Sequence, residues 1–329
     1  MSTQKPHITI VGLGLIGGSI GLALREAGVA SVVTGHDMDR RAHARATKLG
    51  AVDQTDWNLV SACEGADLVI LATPLGALEA TLKAIGSYLR PGCVVMDTAS
   101  IKSPVLDWAG EILPEQVHFV GSNPILGPTV EGKGGLEAAR ADLFRNGLFC
   151  IVSTPAVDSG AVKLVADVVS VLGATPLFVD PVEHDGQLAG VEHLPAILAF
   201  ALMETMFGQP TWRDLRKAAG PAFRLGTELT STDAATHADL FLANRENLVR
   251  WMDEFAVSLA SLRRALDEEE SQELAERLGN ALEERQQWLL DQERGQWQEG
   301  PRAEMPSRGS LLEGLLGGFW RRKREGEER

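Results

Sequence analysis

Residues 11–24 read VGLGLIGGSIGLAL, a glycine-rich turn set between an apolar β-rich run and an apolar helical one. GxGxxG spacing directly after a strand and directly before a helix points to a βαβ unit whose first turn meets a dinucleotide. Gly12 permits the tight turn, Gly14 lets the backbone approach a pyrophosphate, and Gly17 lets helix and strand pack closely. Leu15 and Ile16 open the helix, where unbonded N–H groups and the dipole favour negative charge. The second strand ends VVTGHD and places Asp37 where a carboxylate accepts from adenosine ribose hydroxyls. That predicts NAD, because the same carboxylate repels a 2′-phosphate, while Arg40 and Arg41 just behind keep NADP possible. The competing reading is a glycine turn that holds no ligand.

Further β-rich runs follow as ADLVILAT, CVVMD, VHFVG, LFCIVS and TPLFVD, with helical patterns between them. Apolar, non-alternating strands separated by helices predict a doubly wound, mostly parallel α/β sheet of Rossmann type over residues 1–179. Strand signals then stop. Helical patterns at about 182–207, 211–218, 234–266 and 269–294 predict an all-α domain over 180–295. Its long apolar faces call for a partner, a second copy of the chain being the simplest. From 296 to 329 the composition turns to Pro, Gly and charge around a short apolar patch, LLEGLLGGFW, and predicts a linker and tail.

A formal charge of −14 speaks against nucleic acid as a partner, since phosphate binding needs clustered Lys and Arg. Cys63, Cys93 and Cys150 are scattered with no CxxC pair. That argues against a disulfide framework or a metal site and predicts the cytoplasm. No N-terminal signal is evident, and no transmembrane segment is expected.

Chemistry in such a sheet gathers at the carboxyl ends of the strands. LATPLGA puts Thr73 and Pro74 beside the cofactor crevice. VVMDTASIKSP offers Ser100, to hydrogen-bond a substrate hydroxyl or to cap the next helix, and Lys102, to hold a carboxylate or to sit solvated. HFVGSNPILGP reads as a strand that drops into a Gly-Ser-Asn-Pro turn at Asn123, a side chain that cannot take a proton.

Taken together, VGLGLIGGSIGLAL, ATPLGAL, DTASIKS, GSNPILGPTVEGKGGLEAARADLF, HDGQLAGVEHLPAILA and DLFLANRE resemble the prephenate/arogenate dehydrogenase family of tyrosine biosynthesis, over roughly residues 7 to 260. The resemblance implies a Rossmann domain followed by a helical domain that forms a homodimer. It also implies NAD(P)-dependent oxidative decarboxylation of a cyclohexadienol. The family pattern GSHPMAG carries a histidine base, and Asn123 stands in its place. The arginine that pairs with a substrate carboxylate aligns with Glu228, unless Arg224 one turn earlier takes over, and a usual tryptophan aligns with His237.

Ser100 stands at the family's serine, and His193 matches the first histidine of its SHLPH. In one regular helix over 182–207, His184 and His193 would lie on opposite faces. Ser100, Asn123 and His193 are thus the candidate catalytic residues, with Lys102, Arg224, Glu228 and His237 as substrate contacts. Alternatives are a dehydrogenase of the same scaffold with another substrate, for which Glu228 would bind an amine, and a non-catalytic NAD-binding or sensor protein.

Overall fold

The computed structural model describes residues 5–126, 135–228, 233–269 and 271–294. The expected tail from 296, and the GPTVEGKG part of the family resemblance, lie outside them. The chain forms two compact units, the first running to Val182 and the second from Glu183 to Arg294.

The first unit is one eight-stranded sheet. Its strands are β1 (His7–Val11), β2 (Val32–His36), β3 (Gln54–Thr55), β4 (Leu68–Leu71), β5 (Val94–Asp97), β6 (His118–Ile125), β7 (Leu148–Val152) and β8 (Thr175–Phe178). Helices α1 (Leu15–Ala27), α2 (Arg40–Leu49), α3 (Leu59–Cys63), α4 (Leu75–Ile85), α5 (Ser103–Ile112) and α6 (Ser159–Val171) connect them. Every residue of β4 and β5 is buried, as expected for strands covered on both faces. The order β3-β2-β1-β4-β5-β6-β7-β8 reverses between β1 and β4, which makes the ends of those two strands the switch point where a ligand crevice forms. Only the β6–β7 pairing is antiparallel.

That pairing corrects the turn expected at Asn123. Strand β6 follows β5 only as far as Val120, then stays extended because Gly121–Ile125 lie antiparallel to Leu148–Val152. Asn123 therefore sits on a strand, opposite Cys150. Backbone groups alternate sides along a strand, so Pro124 turns the same way as Ser122, toward the edge that β5 has left. No ladder bond is lost to its missing N–H there.

The second unit is helical: α7 (Pro181–Leu188), a π turn (Ala189–His193), α8 (Leu194–Phe207), α9 (Trp212–Ala218), α10 (Pro221–Thr227), α11 (Ala234–Ala243), α12 (Arg245–Asp267) and α13 (Ser271–Arg294). The single helix expected over 234–266 is broken at Asn244, whose φ of −112° and ψ of 26° interrupt it. The run 182–207 is continuous but not regular. A π turn fits an extra residue into one turn, so nine residues advance about as far as eight, and the angle between His184 and His193 falls from about 180° to about 80°. Both are fully buried, on neighbouring rather than opposite faces.

The π turn is held from outside the helix. The carbonyls of Asp185 and Gly186 have their α-helical donors four residues on, inside the turn. Asp185 O accepts from Asn244 Nδ2 at 2.8 Å and Gly186 O from Trp251 Nε1 at 2.9 Å. Gly190 admits that indole, since a Cβ there would lie 2.7 Å from Trp251 Cε2. Gly190→Ala is expected to lower stability by about 1–3 kcal/mol through overpacking. Denaturant unfolding measures this, and a change within experimental error would mean that Trp251 moves aside freely.

One helix bears on the expected absence of a transmembrane segment without being a clear span. By length and composition alone, the 27-residue run Pro181–Phe207 qualifies, with an 18-residue window of mean hydropathy 1.3. It also carries Glu183, His184 and Asp185, and the last two are buried in the polar cluster described next.

Candidate active site

The chemistry-bearing residues form two groups, one on each unit. In the first, Gly12 has φ +95°, and a Cβ on it would strike the carbonyl of Ala72 at the end of β4. A Cβ on Gly17 would meet Gly12 O, so these two glycines serve the protein's own packing. Gly14 differs. A Cβ there would meet nothing within 4 Å, so the protein's own packing does not require glycine at this point and leaves the turn open. Gly14 is the N-cap of α1 and supplies no side-chain cap, leaving the first N–H groups available to an anion. Leu15 and Ile16 pack against the hydrophobic core, so their contribution to a ligand is backbone N–H alone.

Asp37 follows β2. Its Oδ2 accepts from Leu13 N and its Oδ1 from Asp39 N, both at 2.7 Å. Each carboxylate oxygen keeps a further lone pair for a ribose hydroxyl. Thr73, at the end of β4, has a buried Oγ1 with no hydrogen-bond partner among the described residues. Pro74 beside it is exposed and precedes α4. An open cradle at Gly14, a poised carboxylate and an unanswered hydroxyl fit a dinucleotide held by Gly12–Gly17, Asp37 and Thr73.

A further group beside Asp37 was not read from the sequence. His43 Nε2 lies 2.8 Å from Asp37 O, and its ring stacks on Trp57 at 4.2 Å. Arg40 covers the same indole at 4.8 Å, so its guanidinium is spent on a cation–π contact. No pattern in the sequence joins a helical His to a loop Trp. Asp37→Ala is expected to weaken NAD by about tenfold or more, from loss of a charged hydrogen-bond acceptor, and to weaken NADP less. Calorimetric titration with both cofactors tests it. An equal loss would show that Asp37 acts only by bracing the turn.

At the end of β5, Asp97 and Lys102 are both fully buried and form an ion pair. Asp97 also accepts from Ser122 N and Ala99 N, each at 3.0 Å, while Lys102 Nζ donates to Ser122 O at 2.8 Å. Ser122 Oγ returns a bond to Asp97 O. The pair thus replaces the ladder that β5 no longer supplies and clamps β6 one residue before Asn123. Lys102 is neither solvated nor a substrate contact, because its ammonium is spent inside the protein. Ser100 is half-buried in the bend before α5, whose N-cap is Lys102, so it is not the helix cap. Asn123 is 3% exposed.

The second group lies on the helical unit. His184 Nδ1 is 2.9 Å from Asp185 Oδ1, and Asn244 Nδ2 is 3.2 Å from His193 Nδ1. His237 on α11 rests against Phe200 and Phe241, with ring centroids 5.1 and 5.6 Å away. Arg224 and Glu228 are exposed and one turn apart at α10. Among the described residues no cluster of His, Cys, Asp and Glu could hold a metal ion. Burial pushes the thiols of Cys63 and Cys93 up to about 12, so both stay protonated and unreactive at neutral pH.

Two family profiles match the chain: "Prephenate dehydrogenase, nucleotide-binding domain" over residues 20–177 and "Prephenate dehydrogenase, dimerization domain" over residues 180–280. The prephenate dehydrogenase of Bacillus subtilis is 29% identical over 276 residues, covering 83% of this chain and 74% of the relative. The cyclohexadienyl dehydrogenase of Zymomonas mobilis is 26% identical over the same length, covering 83% and 93%. Among solved structures, prephenate dehydrogenase from A. aeolicus in complex with hydroxyphenyl propionate and NAD+ superposes with a TM-score of 0.79 at 28% identity. It covers 86% of this chain and 98% of that one.

Proposed function

The chain belongs to the prephenate dehydrogenase family, and on that premise we propose that it oxidises prephenate or arogenate with NAD, releasing carbon dioxide as the ring becomes aromatic. That it is an NAD(P)-dependent dehydrogenase of this type follows from its relatives. The observation that carries the substrate reading is that both domain profiles match while the cofactor cradle keeps its open Gly14 and its unanswered Thr73 hydroxyl.

A dinucleotide held by the Gly12–Gly17 turn, Asp37 and Thr73 would supply the hydride acceptor for the carbinol carbon. Ser100 hydrogen-bonds the substrate hydroxyl, and the Asn123 amide orients it without taking its proton. Ser100 and water are the groups left to receive that proton. Arg224 pairs with a substrate carboxylate, with Glu228 and His237 at its margin.

We also read the chain as a homodimer. Helix α8 is apolar all round, yet only Ala196 and Ala199 on it are buried, and Leu202, Phe207, Met252 and Phe255 are exposed. A second copy is the cover that such a surface calls for. Three buried thiols suit the cytoplasm.

The deciding experiment follows reduced nicotinamide by absorbance with NAD⁺ and, separately, prephenate and arogenate. Turnover above the enzyme-free control supports the reading. No turnover, with NAD binding confirmed in the same sample, would overturn it in favour of a substrate lacking the family's carboxylate pattern, which the acidic Glu228 favours.

A further inference from the structure

We infer that His193 acts as a hydrogen-bond donor through Nε2–H and not as a base, its tautomer set by the amide of Asn244. The amide's direction is fixed on two sides. Its Nδ2 lies 2.8 Å from the Asp185 carbonyl, which can only accept, and its Oδ1 accepts from Asn247 Nδ2 at 2.9 Å. Turning the amide over would set oxygen against oxygen at Asp185. The group that faces His193 Nδ1 at 3.2 Å is therefore an NH₂, and Nδ1 must be the acceptor. A neutral imidazole has one of each, so the proton is on Nε2.

The surroundings agree. Asp185 Oδ1 lies 2.9 Å from His184 Nδ1. The two histidines thus present the same ring nitrogen to their partners in opposite roles, His184 as donor to a carboxylate and His193 as acceptor from an amide. On α12, Arg245 pairs with Glu246 and Arg250 lies over Trp251; Glu192 beside His193 is exposed. The π turn brings His193 to Asn244, and Asn244 in turn bonds the carbonyl of Asp185, just ahead of that turn. Asn244 is thus a positioning residue. The catalytic part of the inference rests on the substrate reading above, while the tautomer does not. On that reading an Nε2–H stabilises negative charge on a substrate oxygen, and the hydroxyl proton passes to water.

The test is imidazole-nitrogen NMR on the full chain carrying isotope-labelled histidine, with His193 assigned by its loss in His193→Gln. A bare Nδ1 and a protonated Nε2 are expected. Asn244→Asp, which turns the donor into an acceptor, should move the proton to Nδ1. A protonated Nδ1 in the unaltered protein, or no change in Asn244→Asp, would overturn the tautomer.

For catalysis, Gln retains a donor near Nε2 and Ala does not. Losing one such donor costs about 10² to 10³ in kcat, so His193→Gln should keep at least about tenfold more kcat than His193→Ala. Equal losses would overturn the donor role. Absence of turnover in the unaltered protein would sink the substrate reading while leaving the NMR result decisive.

Discussion

Asn123→His is expected to raise turnover of prephenate or arogenate by about 10² to 10⁴, the usual contribution of a positioned general base. The backbone there is ready for it. Residues 121–125 pair with β7, and the buried Asp97–Lys102 clamp holds Ser122 from the other side, so position 123 has a fixed starting point. The variant should also change the pH profile. A histidine base works only unprotonated, so activity should fall as pH drops through roughly 6.5, the ordinary histidine value. The starting protein, with Asn at 123 and a donor at 193, should lack that limb. Unchanged turnover in a variant that folds and binds NAD would show that position 123 is not where the proton leaves.

Lys102→Met should be the most destabilising single change considered, at about 3–5 kcal/mol, because it strands the Asp97 carboxylate where no water reaches. The loss extends to Ser122 O, whose donor disappears. Two N–H donors remain on Asp97, from Ala99 and Ser122, and hold the cost toward the lower end. Adding Asp97→Asn should recover part of the loss, since the two sites share one interaction. Denaturant midpoints for the single and double variants measure this. A loss below about 1 kcal/mol for Lys102→Met would mean that backbone N–H groups alone satisfy Asp97.

The parallel strands were legible because their burial on both faces leaves unbroken apolar runs such as LVIL and VVMD, and the glycine turn because steric need writes itself into residue type. β3, two polar residues long, has no such run. Gly-Ser-Asn-Pro is turn chemistry by composition, and β7, more than twenty residues on, together with the Asp97–Lys102 pair keeps it extended. A lysine after a strand reads as solvated unless its partner is seen. Asp97, five residues earlier at the strand end, was the available signal. Asn244 is a weak helix former inside an amphipathic pattern, too slight a hint to place a break. The π turn was illegible in principle, since Trp251 and Asn244 hold it from some sixty residues away.

That turn makes helix length a matter of phase. A relative of the same length that wound those five residues as regular α-helix would rotate everything before them by about 100° relative to everything after them. Still nine residues apart, its two histidines would then stand back to back. Chain length across those five residues is therefore inherited together with the chemistry of Asn244. A single deletion there would instead let the regular helix form with the histidines still about 80° apart, so one gap in an aligned sequence would leave their phase intact.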